Sequence, residues 1–315
     1  MRRELLIDFS WLWTRSLYAF KELTCVVDDK TVCTGAMYGI LKFIQSAQGM
    51  GFDTINICLD DYSKYRTELF EGYKATREHG DPFRAEARKL NPELFQVLGY
   101  VGCRIVKVEG MEADDVISSM ALELANNGDE AVIYSSDKDM QQLLVFPNIK
   151  MANKIENGNL LYITEEQVEE KLDVKPELVR YYRPFRGDSS DNISSAATRV
   201  QSKYLKPVAE SIRTNLLQGN TLDMAYDKAV VQHIATLSAN ALSTIQSGKS
   251  IYIRNFCLMD LLKYNKNPLE ISYVSLPALN QSGFLEILNK YQMNEFKKYY
   301  FETLSALGVG NALQD

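Results

Sequence analysis

Up to about residue 187 the chain alternates short apolar runs with longer amphipathic stretches. LLID at 5–8 is followed by WLWTRSLYAF, TGAMYGILKFIQSAQ, TINICLD, CRIVKV, DDVISSMALELANN and AVIYSSD. The short runs read as buried strands and the longer, 3.6-periodic stretches as helices. Strand alternating with helix predicts an α/β fold with a doubly wound, mostly parallel sheet. CVVDDKTVCT, between the first two helices, reads as a small hairpin around Asp28, Asp29 and Lys30 that decorates the edge. After residue 187 the pattern turns helical, with KYLKPVAESIRTNLLQ, LDMAYDKAVVQHIATL, FCLMDLLKYN and GFLEILNKYQMNEFKKYYFETL. The expected organisation is therefore an α/β core at 1–187 and a helical subdomain at 188–315, with no internal repeat or low-complexity linker.

Composition narrows the chemistry. A chain of 315 residues with 46% hydrophobic content can bury a sizeable core. The opening MRRELLIDFSWLW imitates a signal peptide, but Asp8 interrupts it after three apolar residues, and no apolar run reaches the roughly 18 residues of a membrane span. The expectation is a non-membrane, monomeric protein of the cytoplasm, or of the host cytoplasm if a phage encodes it. Cys25, Cys33, Cys58, Cys103 and Cys257 are odd in number and contain no CxxC pair, and His79 and His233 stand alone. That argues against a disulfide framework and a zinc site, and leaves buried thiols as the reading. No serine sits in a GxSxG turn.

What remains is carboxylate chemistry. Asp8 closes the first apolar run, Asp60 closes TINICLD and Asp137 follows AVIYSS, so three acids fall at the edge of the sheet where ligands of such folds bind. Glu112, Asp114 and Asp115 open an amphipathic helix. Capping and the helix dipole alone favour acids in a first turn, yet three in four positions opposite three strand-end acids exceed what capping explains. With Asp139, Asp188 and Asp191 the set reaches nine. Gathered in one cleft, nine carboxylates repel one another unless divalent cations sit between them. The net charge of −6 becomes +3 when these nine are set aside, so basic tracks for a nucleic acid remain available.

LLIDFS, ICLDD, YRTELFEGYKATR, MEADDV, YSSDKDMQQL and FRGDSSDNI stand in the order and spacing of the 5' nuclease family. Over roughly residues 4–205 the chain resembles the branch that holds bacterial DNA polymerase 5' nuclease domains, flap endonucleases and tailed-phage RNase H exonucleases. The resemblance implies a PIN-like core with a helical arch at about 62–100. It implies a metal-dependent 5'-3' exonuclease or flap endonuclease with RNase H activity, acting near 5' ends and single-strand/duplex junctions to remove RNA primers or flaps during DNA replication. It also implies two or more Mg2+ ions, replaceable by Mn2+, roughly 4 Å apart. By the same resemblance Asp8, Asp60, Glu112, Asp114, Asp115, Asp137 and Asp139 form the inner acidic group, and Asp188 and Asp191 complete the second metal region. Asp61 stays open as an alternative to Asp60, and Lys138 reads as a neutralising or solvent-facing residue.

YRTELFEGYKATR supplies positive charge. Arg66, Lys74 and Arg77 are candidates to bind the scissile phosphate, with Lys74 and Arg77 assigned to catalysis, and Tyr73 offers a face on which a terminal base can stack. EHGDPFRAEARKLNP, at 78–92, has the composition of a segment that orders when substrate binds. Relatives follow GDxSDN with a glycine-rich hairpin, whereas this chain has no glycine from Asn192 to Ala209. Tight hairpin geometry is therefore unexpected, leaving a degenerate helix-hairpin-helix without a K+ site in which Arg199 and Lys203 take over duplex binding. Expected partners are branched or 5'-ended DNA and RNA-DNA hybrids, with a single-strand binding protein or clamp as further candidates. A catalytically silent nucleic-acid-binding protein or scaffold on the same fold is the alternative; it calls for the loss of key acids, and none is lost.

Overall fold

The computed structural model describes residues 1–76, 81–276 and 278–297. The chain opens with β1 (Arg3–Asp8), α1 (Phe9–Ala19), the β2 (Thr24–Val27) and β3 (Lys30–Cys33) hairpin, α2 (Gly35–Gln48) and β4 (Thr54–Cys58). Three helices, α3 (Lys64–Leu69), α4 (Pro82–Arg88) and α5 (Asn91–Tyr100), lead to β5 (Arg104–Val106). Then come α6 (Ala113–Asn126), β6 (Glu130–Tyr134), a 3-10 turn over Asp139–Val145, β7 (Ile149–Glu156) and β8 (Asn159–Tyr162). The helices α7 (Glu165–Leu172), α8 (Pro176–Arg186), α9 (Ser202–Leu217), α10 (Leu222–His233), α11 (Ala239–Ser247) and α12 (Lys249–Met259) follow, and β9 (Tyr273–Ser275) and α13 (Gln281–Lys290) return to the sheet.

Seven of these strands form one sheet in the order β8-β7-β6-β1-β4-β5-β9, parallel except at its two antiparallel edges. Leu5, Leu6 and Ile7 of β1 are fully buried because helices cover both faces, the usual condition of a parallel sheet. On one face Leu12, Trp13, Met37, Ile40, Val97 and Leu98 pack over Leu5, Ile7 and Ile57. On the other, Val116, Ile117 and Ala121 of α6 pack over Leu6, Ile133 and Met151. The chain builds outward from β1 through β4 to β5, then crosses back to β6 on the other side of β1. That reversal opens a crevice beyond the carboxyl ends of β1 and β6. No helix among the described residues is long and apolar enough to cross a membrane.

Several expectations change. β2 and β3 pair only with each other and do not extend the sheet. β7, β8 and β9 went unread because their sequences mix polar and apolar residues without clean alternation. The helical core begins well before residue 187: Val168, Val179, Tyr182 and Phe185 pack with Leu205, Ile212, Tyr226 and Tyr252. Conversely, Phe284, Ile287, Leu288 and Phe296 join the core of the sheet, so the segment after about 260 belongs with the α/β layer. FCLMDLLKYN is not one helix. Asp260 breaks it, one carboxylate oxygen accepting the Leu262 amide at 3.0 Å and the other Arg180 at 2.6 Å.

The segment expected to order only on substrate binding is partly folded. In its described part, 81–92, Arg84 donates to Thr14 at 3.0 Å, the Trp13 indole donates to Asn91 at 2.9 Å, and Ala87 and Leu90 are buried. The guanidiniums of Arg84 and Arg88 lie 5.9 and 5.5 Å from the Trp13 ring. The α1 surface thus supplies what the mixed-charge composition concealed.

The GDSSDN segment that leads into the glycine-free stretch turns tightly. Asp188 and Ile193 exchange backbone hydrogen bonds at 2.8 and 2.7 Å, closing a hairpin in which Asn192 takes φ +59°. Arg199 adds a second left-handed residue at φ +62°. Asn tolerates this region better than most side chains, and Gly187, at φ +68° directly before the hairpin, leaves room for the Ile193 carbonyl where a Cβ would clash.

Candidate active site at the carboxyl edge of the sheet

The crevice collects its acids from four connections. Asp8 ends β1 and caps α1: one carboxylate oxygen accepts from the Trp11 amide at 3.1 Å and the Ser10 hydroxyl at 3.2 Å, the other from Ser135 at 2.9 Å. Asp60, two residues past β4, accepts from the Ala113 amide at 3.0 Å, which ties it to the start of α6. Asp137 follows β6 and accepts from the Asp139 amide at 2.6 Å. Asp114 faces these three from the first turn of α6.

Their electrostatics reveal the convergence. Burial, then the charges of Asp137, Asp8 and Asp60, push the Asp114 carboxyl well above the ordinary range. Burial and the nearby Asp60 charge raise Asp8. Burial, then Asp139, push Asp137 up to about 7. Asp139 is raised by burial despite its ion pair with Arg183. Among the described residues no three of these groups close into a finished coordination shell, because several oxygens are turned to backbone amides and cations. The donor set is nonetheless all oxygen, crowded and mutually repelling, and that chemistry fits hard divalent cations.

The remaining acids divide in two ways. Glu112 is paired with Lys74 at 2.7 Å and accepts from the Tyr73 hydroxyl at 2.8 Å. Tyr73 also reaches Asp191 at 3.3 Å, and burial raises its phenol so that it stays a donor. Lys74 adopts φ +55°, and its amide bonds to the Asp191 carbonyl at 2.9 Å, which joins the 70–76 loop to the 188–193 turn. Asp188 is bonded to Arg183 at 2.7 Å; burial would raise its carboxyl, but Ser190 and Arg183 hold it below the usual range. Asp61 points elsewhere, to Lys107 at 2.8 Å and the Gly110 amide at 2.9 Å, which leaves Asp60 as the acid that faces the cluster.

Asp115 and Arg66 differ from expectation. Asp115 is fully buried and forms a two-point ion pair with Arg66, one arm of which measures 2.8 Å. It also accepts from Tyr264 at 2.8 Å and from the Glu112 amide at 3.1 Å. Burial would raise its carboxyl, but the Arg66 charge and hydrogen bonds hold it low. Asp115 therefore supports Glu112 from behind and does not face the metal-type cluster. Arg66, 3% exposed and bonded also to the Leu258 carbonyl at 3.1 Å, is not open to a phosphate. The Tyr73 ring likewise packs with Ile193, Leu258 and Met259 and carries the Lys74 ammonium 4.9 Å from its centre, so its stacking face is partly taken.

Arg199 and Lys203 are exposed, lining a separate cavity with Ser238 and Asn240. Arg77 lies outside the described residues. Sequence reasoning missed Arg183, which bonds Asp139 at 2.8 Å and Asp188 at 2.7 Å and so bridges the sheet edge to the helical half. Its position one helical turn before GDSSDN was the available signal.

Fold and site define an α/β protein with a cluster of carboxylates at the carboxyl edge of a mostly parallel sheet. The chain belongs to the 5'-3' exonuclease family: the profile described as 5'-3' exonuclease, N-terminal resolvase-like domain, matches residues 3–173. A 5'-3' exonuclease of Buchnera aphidicola subsp. Schizaphis graminum is 33% identical over 195 residues, 60% of this chain and 63% of that protein. A thermostable DNA polymerase I of Thermus thermophilus is 33% identical over 291 residues, 92% of this chain and 32% of that protein. The chain thus spans less than two thirds of the length of these curated relatives. In fold it is similar to the T5 D15 protein co-crystallized with metal ions, at TM-score 0.60 and 15% identity over 97% of this chain and all of that one. The bacteriophage T5 D15 flap endonuclease in a complex with DNA and metal ions gives TM-score 0.59 at 15% identity, covering 98% of this chain and all of that one.

Two outcomes are expected. An Asp whose carboxyl is raised on folding stabilises the protein while protonated, and that contribution fades as pH rises from its unfolded value through its folded one. In chelator, the stability that Asp137 contributes should therefore fall between pH 3.8 and about 7, and Asp137→Asn should flatten this slope and raise the melting temperature at pH 8. Arg66→Ala, which leaves Asp115 buried and unpaired, should cost about 3–5 kcal/mol in urea unfolding.

Proposed function

We propose that this protein is a divalent-metal-dependent 5'-3' exonuclease and flap endonuclease that hydrolyses phosphodiesters near 5' ends and single-strand/duplex junctions. The observation that carries the reading is the mutually repelling set Asp8, Asp60, Asp114 and Asp137 at the topological switch of the sheet. Family membership and the likeness in fold to a flap endonuclease seen with DNA and metal ions support it. RNase H activity, Mg2+ as the physiological metal and the removal of primers or flaps in replication are part of the same proposal. So is the division into an α/β nuclease core and a helical nucleic-acid-binding part.

Asp8, Asp60, Asp114, Asp137 and Asp139 would hold the cations, with Glu112, Asp188 and Asp191 at the margin. When bound, the cations would supply Lewis-acid charge and an acidified water for attack on phosphorus. The chain's own residues do the rest. Lys74, on the 70–76 loop, presents an ammonium that can move from Glu112 to a phosphate oxygen and offset the negative charge that builds in the transition state. Arg77, three residues on, is placed by sequence to do the same. Tyr73 donates to Glu112 and Asp191, fixing the orientation of both carboxylates across the crevice. Arg183 holds Asp139 and Asp188 in register and prevents the two from swinging apart.

Purified protein with Mg2+ should release product from a 5'-labelled flap or an RNA-DNA hybrid, and Asp137→Asn should abolish that release. Lys74→Ala should lower kcat roughly 10²- to 10³-fold. Undiminished cleavage by Asp137→Asn would sink the assigned chemistry.

A further inference from the structure

Three polar side chains stand among the apolar ones on the α6 face of the sheet. Glu4 lies two residues before Leu6 on β1 and shares its face, Leu6 is in register with Asn56 on β4, and Asn56 is in register with Arg104 on β5. Together with Met120, Leu124, Ile271 and the Tyr273 ring, Glu4 and Arg104 line a cavity of about 350 Å3, the size of a small-molecule site. It sits toward the amino ends of β1 and β5, at the opposite edge from the acid cluster. We propose that this cavity binds a free α-amino acid with an apolar side chain, its ammonium on Glu4 and its carboxylate on Arg104. The inference goes beyond the nuclease reading and does not depend on it.

The chain leaves these polar groups incomplete. Glu4 is 5% exposed, yet its carboxylate takes a single hydrogen bond, from the neutral Asn56 side chain at 3.0 Å, and no cation among the described residues pairs with it. Asn56 is fully buried, and its own Oδ1 has no partner. Arg104 is half-buried and makes no hydrogen bond or ion pair among the described residues; its guanidinium lies 5.8 Å from the Tyr273 ring centre. The other arginine of the lining, Arg2, is committed to Asp129 at 2.9 Å. A parallel sheet covered on both faces ordinarily carries apolar residues at such positions, and a buried charge without a partner is costly. The cavity therefore holds two opposite charges that do not meet.

A ligand that answers both must carry both. A phosphate or a nucleotide would satisfy Arg104 but set a further negative charge against Glu4, and a simple amine would do the reverse. A zwitterion pairs with each and adds no net charge. Met120, Leu124 and Ile271 give its side chain an apolar wall.

Calorimetric titration of the unsubstituted protein with L-leucine and with L-phenylalanine tests this. At least one should saturate a single site and raise the melting temperature. The amide of that amino acid, which lacks the carboxylate, and its deaminated acid, which lacks the ammonium, should each bind about tenfold more weakly. Glu4→Gln should lose the preference over the deaminated acid, and Arg104→Gln the preference over the amide, so each variant reports on one end of the ligand. The comparison of ligands on the unsubstituted protein stands even where a variant folds poorly. Absence of saturable binding by both amino acids, tighter binding of deoxyguanosine monophosphate than of either, or unchanged preferences in both variants would overturn the proposal.

Discussion

Repulsion among carboxylates crowded at the sheet edge is the constraint around which this molecule is organised. Asp8, Asp114, Asp137 and Asp139 all have raised carboxyl groups, and in each case burial is the leading cause. Such a set is costly to a fold unless something offsets it. Within the chain the offset comes from cations on other elements. Arg183 on α8 reaches Asp139 and Asp188, and Lys74 reaches Glu112. Arg66 reaches Asp115, whose other neighbours are Tyr264 and the Glu112 amide.

Those same contacts fasten the two halves of the molecule together. Arg66, on α3, donates to the Leu258 carbonyl at the end of α12, and Gln142, one turn past Asp139, bonds both the Met259 carbonyl and the Leu261 amide. Arg183 rides on a helix whose apolar face belongs to the helical core. The helical half is thus docked through the site and not merely beside it. The hairpin at 188–193 sits at this seam, bonded through its Asp191 carbonyl to Lys74 and through the Asn192 side chain to Gly72.

Much of this was legible in sequence because the strands of a parallel sheet are nearly all apolar and end abruptly in acids. LLID and TINICLD announce both the strand and the residue at its tip. What sequence could not separate was a carboxylate in the cluster from one behind it. Asp114 and Asp115 are adjacent, yet helical geometry turns them about 100° apart, so one meets Asp8 and Asp137 while the other meets Arg66. Arg66 looked like a phosphate ligand because its buried partner lies 49 residues away. The 81–92 segment looked loose because Trp13, which its arginines approach, belongs to α1. In the glycine-free stretch after GDSSDN, Arg199 holds a left-handed φ of +62° that glycine adopts more readily.

The central claim is that the raised carboxylates form a cation site that takes up metal by giving up protons. Calorimetric titration of the unsubstituted protein with Mg2+ at pH 7, in two buffers of different ionisation enthalpy, measures both at once. The account predicts saturable uptake accompanied by net proton release, reduced in Asp137→Asn. Absence of uptake of either Mg2+ or Mn2+, or uptake without proton release, would contradict it.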